Sequence, residues 1–152
     1  MRSWRCKKKH GTAQEQSLGR SCGGFTTKIH AVCDALGNPL RFLITQGEKA
    51  DCKMLLPLIE GLKYGALLAD RGYDSDEIVK AVQGLKSTVV IPPKKNRLEA
   101  RDCDYILYKE RHKIECLFGF LKHYRRLFAR FDKISTHFCA FLHFIAALQW
   151  LK

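Results

Sequence analysis

In the segment YKERHKIECLFGFLK, residues 108–122, one acid, two strong cations and a phenol recur on a single line. Wound as a helix at about 100° per residue, Tyr108, Arg111, Glu115 and Lys122 fall within a stripe of roughly 60°. Ile114, Leu117, Phe118, Leu121 and Tyr124 gather on another side, giving a packing face with an ordered polar edge beside it. A solvated face accounts for such an edge without any chemistry. A functional edge needs a second group, and Asp70 is the candidate, because it ends the apolar run GALLAD just before Arg71 and Gly72. Its carboxylate is expected at the carboxyl end of a buried strand, where open α/β sheets hold their ligands. A structural salt bridge to a nearby Lys or Arg is the competing reading of Asp70. As hard oxygen donors, Asp70 and Glu115 suit Mg²⁺, which prefers carboxylates and keeps water for a substrate phosphate. The chemistry of such a site is phosphodiester transfer, with two metals about 3.5–4 Å apart serving the attacking and leaving oxygens.

The elements that must position these residues alternate along the chain. FTTKIHAVCDALGNPLRFLITQG reads as two strands joined by a turn built from Asp34, Gly37, Asn38 and Pro39. CKMLLPLIEGL reads as a short helix broken or begun near Pro57 and stopped by Gly61. YGALLAD is a brief buried strand, and DSDEIVKAVQGL follows as a helix with Asp74 and Glu77 placed for a capping box. STVVIPP is a second buried strand leading into the basic loop KKNR. FCAFLHFIAALQWL, residues 138–151, is too short to cross a bilayer and reads as a core helix capped by Ser135 or Thr136. Strands separated by helices and followed by a helical tail predict an α/β sheet with helices packed on it.

Length and charge limit the partners. A chain of 152 residues has the apolar content for one core. Its formal charge of +12 is uneven, since residues 1–30 carry seven Lys/Arg against one acid and residues 94–133 carry twelve against six. The middle, residues 31–93, carries seven against eight. Two basic ends around a neutral middle suit a polyphosphate backbone, with an anionic membrane surface as the alternative. The odd count of seven cysteines, scattered and without a C-x-x-C pair, points to reduced thiols in a cytoplasmic protein rather than a disulfide framework or zinc site.

GRSCGGFTTKIHAVCDALGNPLRF, LLADRGYDSD, VVIPPKKNR and YKERHKIECLFGFLKHYRRLFARFDK, in this order, resemble the catalytic portion of bacterial insertion-sequence transposases of the ribonuclease H-like DDE superfamily. The resemblance spans nearly everything from Gly19 onward, and its sharpest part is Y-x2-R-x3-E-x6-K, met by Tyr108, Arg111, Glu115 and Lys122. It implies an α/β fold, a ribonuclease H-like mixed sheet with flanking helices, truncated at its N-terminus: a basic flexible lead-in at 1–24 and a partial catalytic domain at 25–152. It implies that Asp70 and Glu115 are the second and third acids of a triad holding Mg²⁺ or Mn²⁺. Arg111, Lys122 and Tyr108 would then hold transposon-end DNA, and Lys94, Lys95, Arg97, Arg125, Arg126 and Arg130 would supply backbone contacts. The expected partners are DNA, at element ends and target, and a second copy in a homodimer, with no membrane. The first acid is expected on a strand just upstream of Gly19, yet before Asp34 the chain's only acid is Glu15. A DNA-binding regulator without catalysis is therefore the alternative to a cleaving enzyme.

Overall fold

The computed structural model describes residues 19–21, 24–47, 49–97, 101–132 and 134–151. Cys6, Cys22, Glu15 and most of the expected lead-in lie outside these residues. Where the lead-in is described it takes part in the fold: β1 (Gly19–Ser21) pairs antiparallel with the start of β2 (Gly24–Cys33).

β2 continues into a hairpin with β3 (Pro39–Gln46), closed as the sequence predicts. The Asp34 carboxylate accepts the N–H groups of Leu36 and Asn38 at 2.9 and 2.8 Å and the Asn38 side-chain amide at 3.1 Å. Gly37 takes a φ of +91°, a conformation that side-chain-bearing residues resist. The hairpin has two working faces because side chains alternate. Ile29, Ala31 and Cys33, with Phe42 and Ile44, turn to the larger hydrophobic cluster. The opposite face carries Lys28, His30 and Arg41 toward α1 (Asp51–Ile59).

α1 runs through Pro57 instead of breaking there, because the proline sits in the last turn, where little of the helix remains to be disrupted. Arg41 satisfies the exposed carbonyls, donating to Pro57, Leu58 and Glu60 at 3.5, 3.1 and 2.7 Å, and Gly61 turns the chain away at φ +72°. β4 (Ala66–Leu68) and β5 (Thr88–Val90) are parallel neighbours, and α2 (Asp76–Gly84) connects them. Leu55, Ile59, Leu67, Ile78, Val82 and Ile91 form the core they share with α1. Asp74 is not the cap of α2, contrary to the sequence expectation. Ser75 is, its hydroxyl accepting the Ile78 N–H at 3.4 Å, while the Asp74 carboxylate is buried and committed elsewhere.

The helical tail comprises α3 (Tyr105–Tyr108), α4 (His112–Lys122), α5 (Arg125–Phe128) and α6 (Ser135–Trp150). Phe138, Leu142 and Ile145 of α6 are 0–1% exposed and pack with Leu117, Leu121 and Leu127 against Phe42, which confirms the core helix. The cap expected from Ser135 or Thr136 falls instead on Ile134, which makes no side-chain cap bond. The far end of α6 is tied to the hairpin by the Trp150 indole, which donates to the Pro39 carbonyl at 2.8 Å. Among the described residues no helix is long and apolar enough to cross a membrane.

The architecture is α/β. Its described strands form two sheets, β1-β2-β3 antiparallel and β4-β5 parallel, where the sequence reading expects one mixed sheet.

Candidate functional site

The polar edge begins where Asp104 starts α3 by accepting the N–H groups of Ile106 and Leu107, both at 2.9 Å. Between α3 and α4 the chain keeps helical dihedrals but tightens to a 3₁₀ turn at Lys109–Arg111. A 3₁₀ turn eclipses residues three apart. It therefore stacks the Arg111 guanidinium over the Tyr108 ring, 5.4 Å from its centre. One α-turn later, Arg111 donates to Glu115 Oε1 at 2.6 Å. The hydrophobic side is as expected, with Leu117 and Leu121 buried and Ile114, Phe118 and Tyr124 packed beside them.

Asp70 arrives from the other core. The ladder of β4 and β5 extends one bond beyond the strands, from the Ala69 N–H to the Val90 carbonyl. Asp70 follows at once, at the carboxyl end of β4, and opens a 3₁₀ turn at Arg71–Tyr73. Its field reaches two groups. One is Arg111: burial opposes its charge, but the Glu115 hydrogen bond and the charges of Tyr108, Glu115 and Asp70 hold its pKa above the ordinary arginine range. The other is Tyr73, whose phenol is pushed up to about 12 by burial first and then by Asp51, Asp70 and Cys52. Asp70 and Glu115, distant in sequence, thus act on one guanidinium, whose Nε is buried without a hydrogen-bond partner.

The other expected residues fall into two groups. Lys94 and Lys95 are exposed in the turn after β5, Lys122 is exposed at the end of α4, and Arg125 is exposed 5.7 Å above the Phe131 ring. By helical rise Lys122 stands about 10 Å beyond Glu115 along the axis. Arg97, by contrast, is bound to Asp74 and Asp76. Arg126 is held by both oxygens of Asp132 at 2.7 Å and lies over the Phe141 ring. Arg130 stacks over Phe138 and donates to the Asp132 carbonyl at 3.3 Å. These three serve internal contacts, because each arginine has an acid or a ring within reach that the linear sequence does not reveal.

Two groups escaped the sequence reading. His30 is 4% exposed, with Nε2 2.8 Å from the Thr45 hydroxyl and Nδ1 3.7 Å from Asp51, which also pairs with Lys28 at 3.1 Å. Burial lowers the His30 pKa, against the opposing field of Asp51. Its signal was a histidine at an inward position of an alternating strand. Asp74 is the second group, with a fully buried side chain surrounded by cations. Its signal, an acid before a helix, is shared by every capping residue.

As carboxylates, Asp70 and Glu115 have the donor chemistry of a Mg²⁺ or Mn²⁺ site. Among the described residues no group of three or more His, Cys, Asp and Glu side chains gathers to hold a metal.

The family described as "Transposase DDE domain" matches residues 3–150. The chain is 43% identical over 130 residues to "Putative transposase for insertion sequence element IS6501" of Brucella ovis, an alignment covering 84% of this chain and 100% of that protein. It is 33% identical over 128 residues to the counterpart named for IS402 in Burkholderia cepacia, covering 76% of this chain and 58% of that protein. No solved structure matches the chain. A family match over almost the entire length, with two insertion-sequence relatives, establishes that the chain belongs to the DDE transposase family of bacterial insertion sequences.

Proposed function

We propose that the chain acts on DNA at the ends of an insertion sequence, where a phosphodiester is hydrolysed and the freed 3′-hydroxyl is joined to target DNA. The observation that carries this reading is the family match together with the Arg111–Glu115 pair on the helix edge, with the Asp70 charge among those that raise the Arg111 pKa. Asp70 and Glu115 would hold Mg²⁺ or Mn²⁺, which supplies an activated attacking oxygen and neutralises charge at the leaving oxygen. Arg111, preorganised by the Tyr108 ring and by Glu115, donates to a nonbridging oxygen of the scissile phosphate through nitrogens that Glu115 leaves open. Lys122 takes a neighbouring phosphate further along the helix, and Lys94, Lys95 and Arg125 position the duplex without reading its sequence.

The fold reading that goes with this is a ribonuclease H-like mixed sheet with flanking helices. The presence of both antiparallel and parallel pairs supports it. The DNA partner and a homodimer that brings two ends together belong to the same proposal.

The test is nicking of element-end duplex in Mg²⁺ or Mn²⁺ by the chain and by its Asp70→Asn and Glu115→Gln variants. Cleavage by the unaltered chain that disappears in both variants is expected. Cleavage that survives both substitutions would refute the assignment. A second reading, end binding without cleavage, rests on the exposed Lys94, Lys95, Lys122 and Arg125, which can contact phosphates without any metal. Tight binding with no nicking would select it.

A further inference from the structure

The Asp74 carboxylate has a side-chain exposure of 0% and sits four residues beyond Asp70, on the same turn. That turn is fixed by bonds from the Tyr73 N–H to the Asp70 carbonyl at 2.9 Å and from the Asp74 N–H to the Arg71 carbonyl at 3.1 Å. Across the sheet edge, Asp74 Oδ2 accepts the Lys94 backbone N–H at 2.8 Å and Oδ1 accepts Arg97 Nη1 at 2.7 Å. Lys94 and Arg97 are the two ends of one turn, itself closed by the Arg97 N–H on the Lys94 carbonyl at 3.2 Å. A single buried carboxylate therefore grips both ends of the basic loop KKNR, and Arg101 reinforces it from the following segment.

The two strands explain why the grip matters. β4 and β5 are parallel neighbours, so Asp70 and the Lys94 turn emerge at the same carboxyl edge. Lys94 and Lys95 themselves remain exposed. A free loop would spend its two lysines over many directions, and each phosphate contact would have to pay the ordering entropy. A clamped loop presents them at a fixed offset from the Asp70 turn.

We propose that Asp74 is a positioning residue for DNA: it holds Lys94 and Lys95 in register with Asp70, so that both engage the phosphate backbone flanking the site. This inference rests on the DNA-processing reading above. Asp74 touches no substrate, and its negative charge acts only through the loop.

The experiment measures affinity for element-end duplex across a salt series, without divalent metal, and reads the slope of log affinity against log salt. Each phosphate contact contributes about 0.9 to that slope on duplex DNA. Replacing both lysines, Lys94→Gln with Lys95→Gln, should lower it by about 2. Asp74→Asn, checked for a folded state by circular dichroism, should lower it by about as much, although the change makes the protein more positive. Combining all three substitutions should cost no more than the lysine pair alone. Arg97→Gln, which leaves Asp74 its bonds to Lys94 and Arg101, is the second probe should Asp74→Asn unfold. It should lower the slope by more than 1 rather than by its own single charge. An undiminished slope in folded Asp74→Asn, additivity with the lysine pair, or a loss of 1 or less in Arg97→Gln would each overturn the proposal. Failure of the unaltered chain to bind DNA would instead overturn the functional reading beneath it.

Discussion

Glu115→Gln separates a functional edge from a structural one. The Glu115 side chain is 59% exposed and its ion pair with Arg111 spans one helical turn, with Arg111 26% exposed. Pairs of this kind contribute about 0.3–0.5 kcal/mol, and Arg111 keeps the Tyr108 ring and the field of Asp70 after the change. The stability loss should stay below about 1 kcal/mol, a melting shift of about 2–4 °C at most for a chain of this size. DNA binding should move the other way. A carboxylate about 6 Å from a phosphate in a water-like dielectric repels it by about 0.7 kcal/mol, so without divalent metal the variant should bind about threefold tighter. With Mg²⁺ or Mn²⁺ the order reverses, because the unaltered protein gains affinity from the bridging cation and the variant does not. Thermal melting and fluorescence anisotropy with and without divalent metal provide the assay. A melting loss well beyond 5 °C would make Glu115 a structural residue. Equal enhancement by metal in both proteins would remove it from the ligand set.

Other consequences follow from the same contacts. Leu142→Ala opens a cavity at a residue 0% exposed in the larger core, and should cost about 3 kcal/mol in denaturant unfolding with an unchanged m-value. Arg41→Met strips the C-terminal carbonyls of α1 of their donor and should cost about 1–2 kcal/mol, with faster amide exchange confined to α1 and its neighbours. Burial works against the Asp34 charge, but hydrogen bonds from Asn38, Leu36 and Gly37 depress its pKa below the usual carboxylate value. That contribution is present above the unfolded pKa near 4 and is lost as pH falls through the folded value, so Asp34→Asn should flatten the acid limb of stability. His30 shifts oppositely in charge terms: burial keeps it neutral, so its folded pKa lies below about 6.5 and stability declines as pH falls through that region. An NMR titration in which the His30 ring protonates at or above the values of the exposed histidines would contradict its buried setting.

The sequence alone determined the features that depend on near neighbours. The turn at Asp34, Gly37 and Asn38 is a local matter of side-chain acceptors and a positive φ, and it formed as predicted. The packing face of residues 114–124 and the Arg111–Glu115 pair follow from helical spacing, and the place of Asp70 follows from an apolar run ending in an acid. The family was legible for the same reason, since its signature lies within fifteen consecutive residues. Only the tertiary structure decided which charges are spent inside. Asp74 and Ser75 are equally good caps on paper, and the choice fell to Ser75 because Lys94, Arg97 and Arg101, 20 to 27 residues away, claim Asp74. At the surface Asp132 likewise pairs with Arg126, while the Lys94 and Lys95 side chains form no ion pair among the described residues. Burial raises the value of an electrostatic partner, and burial is a property of the folded chain as a whole.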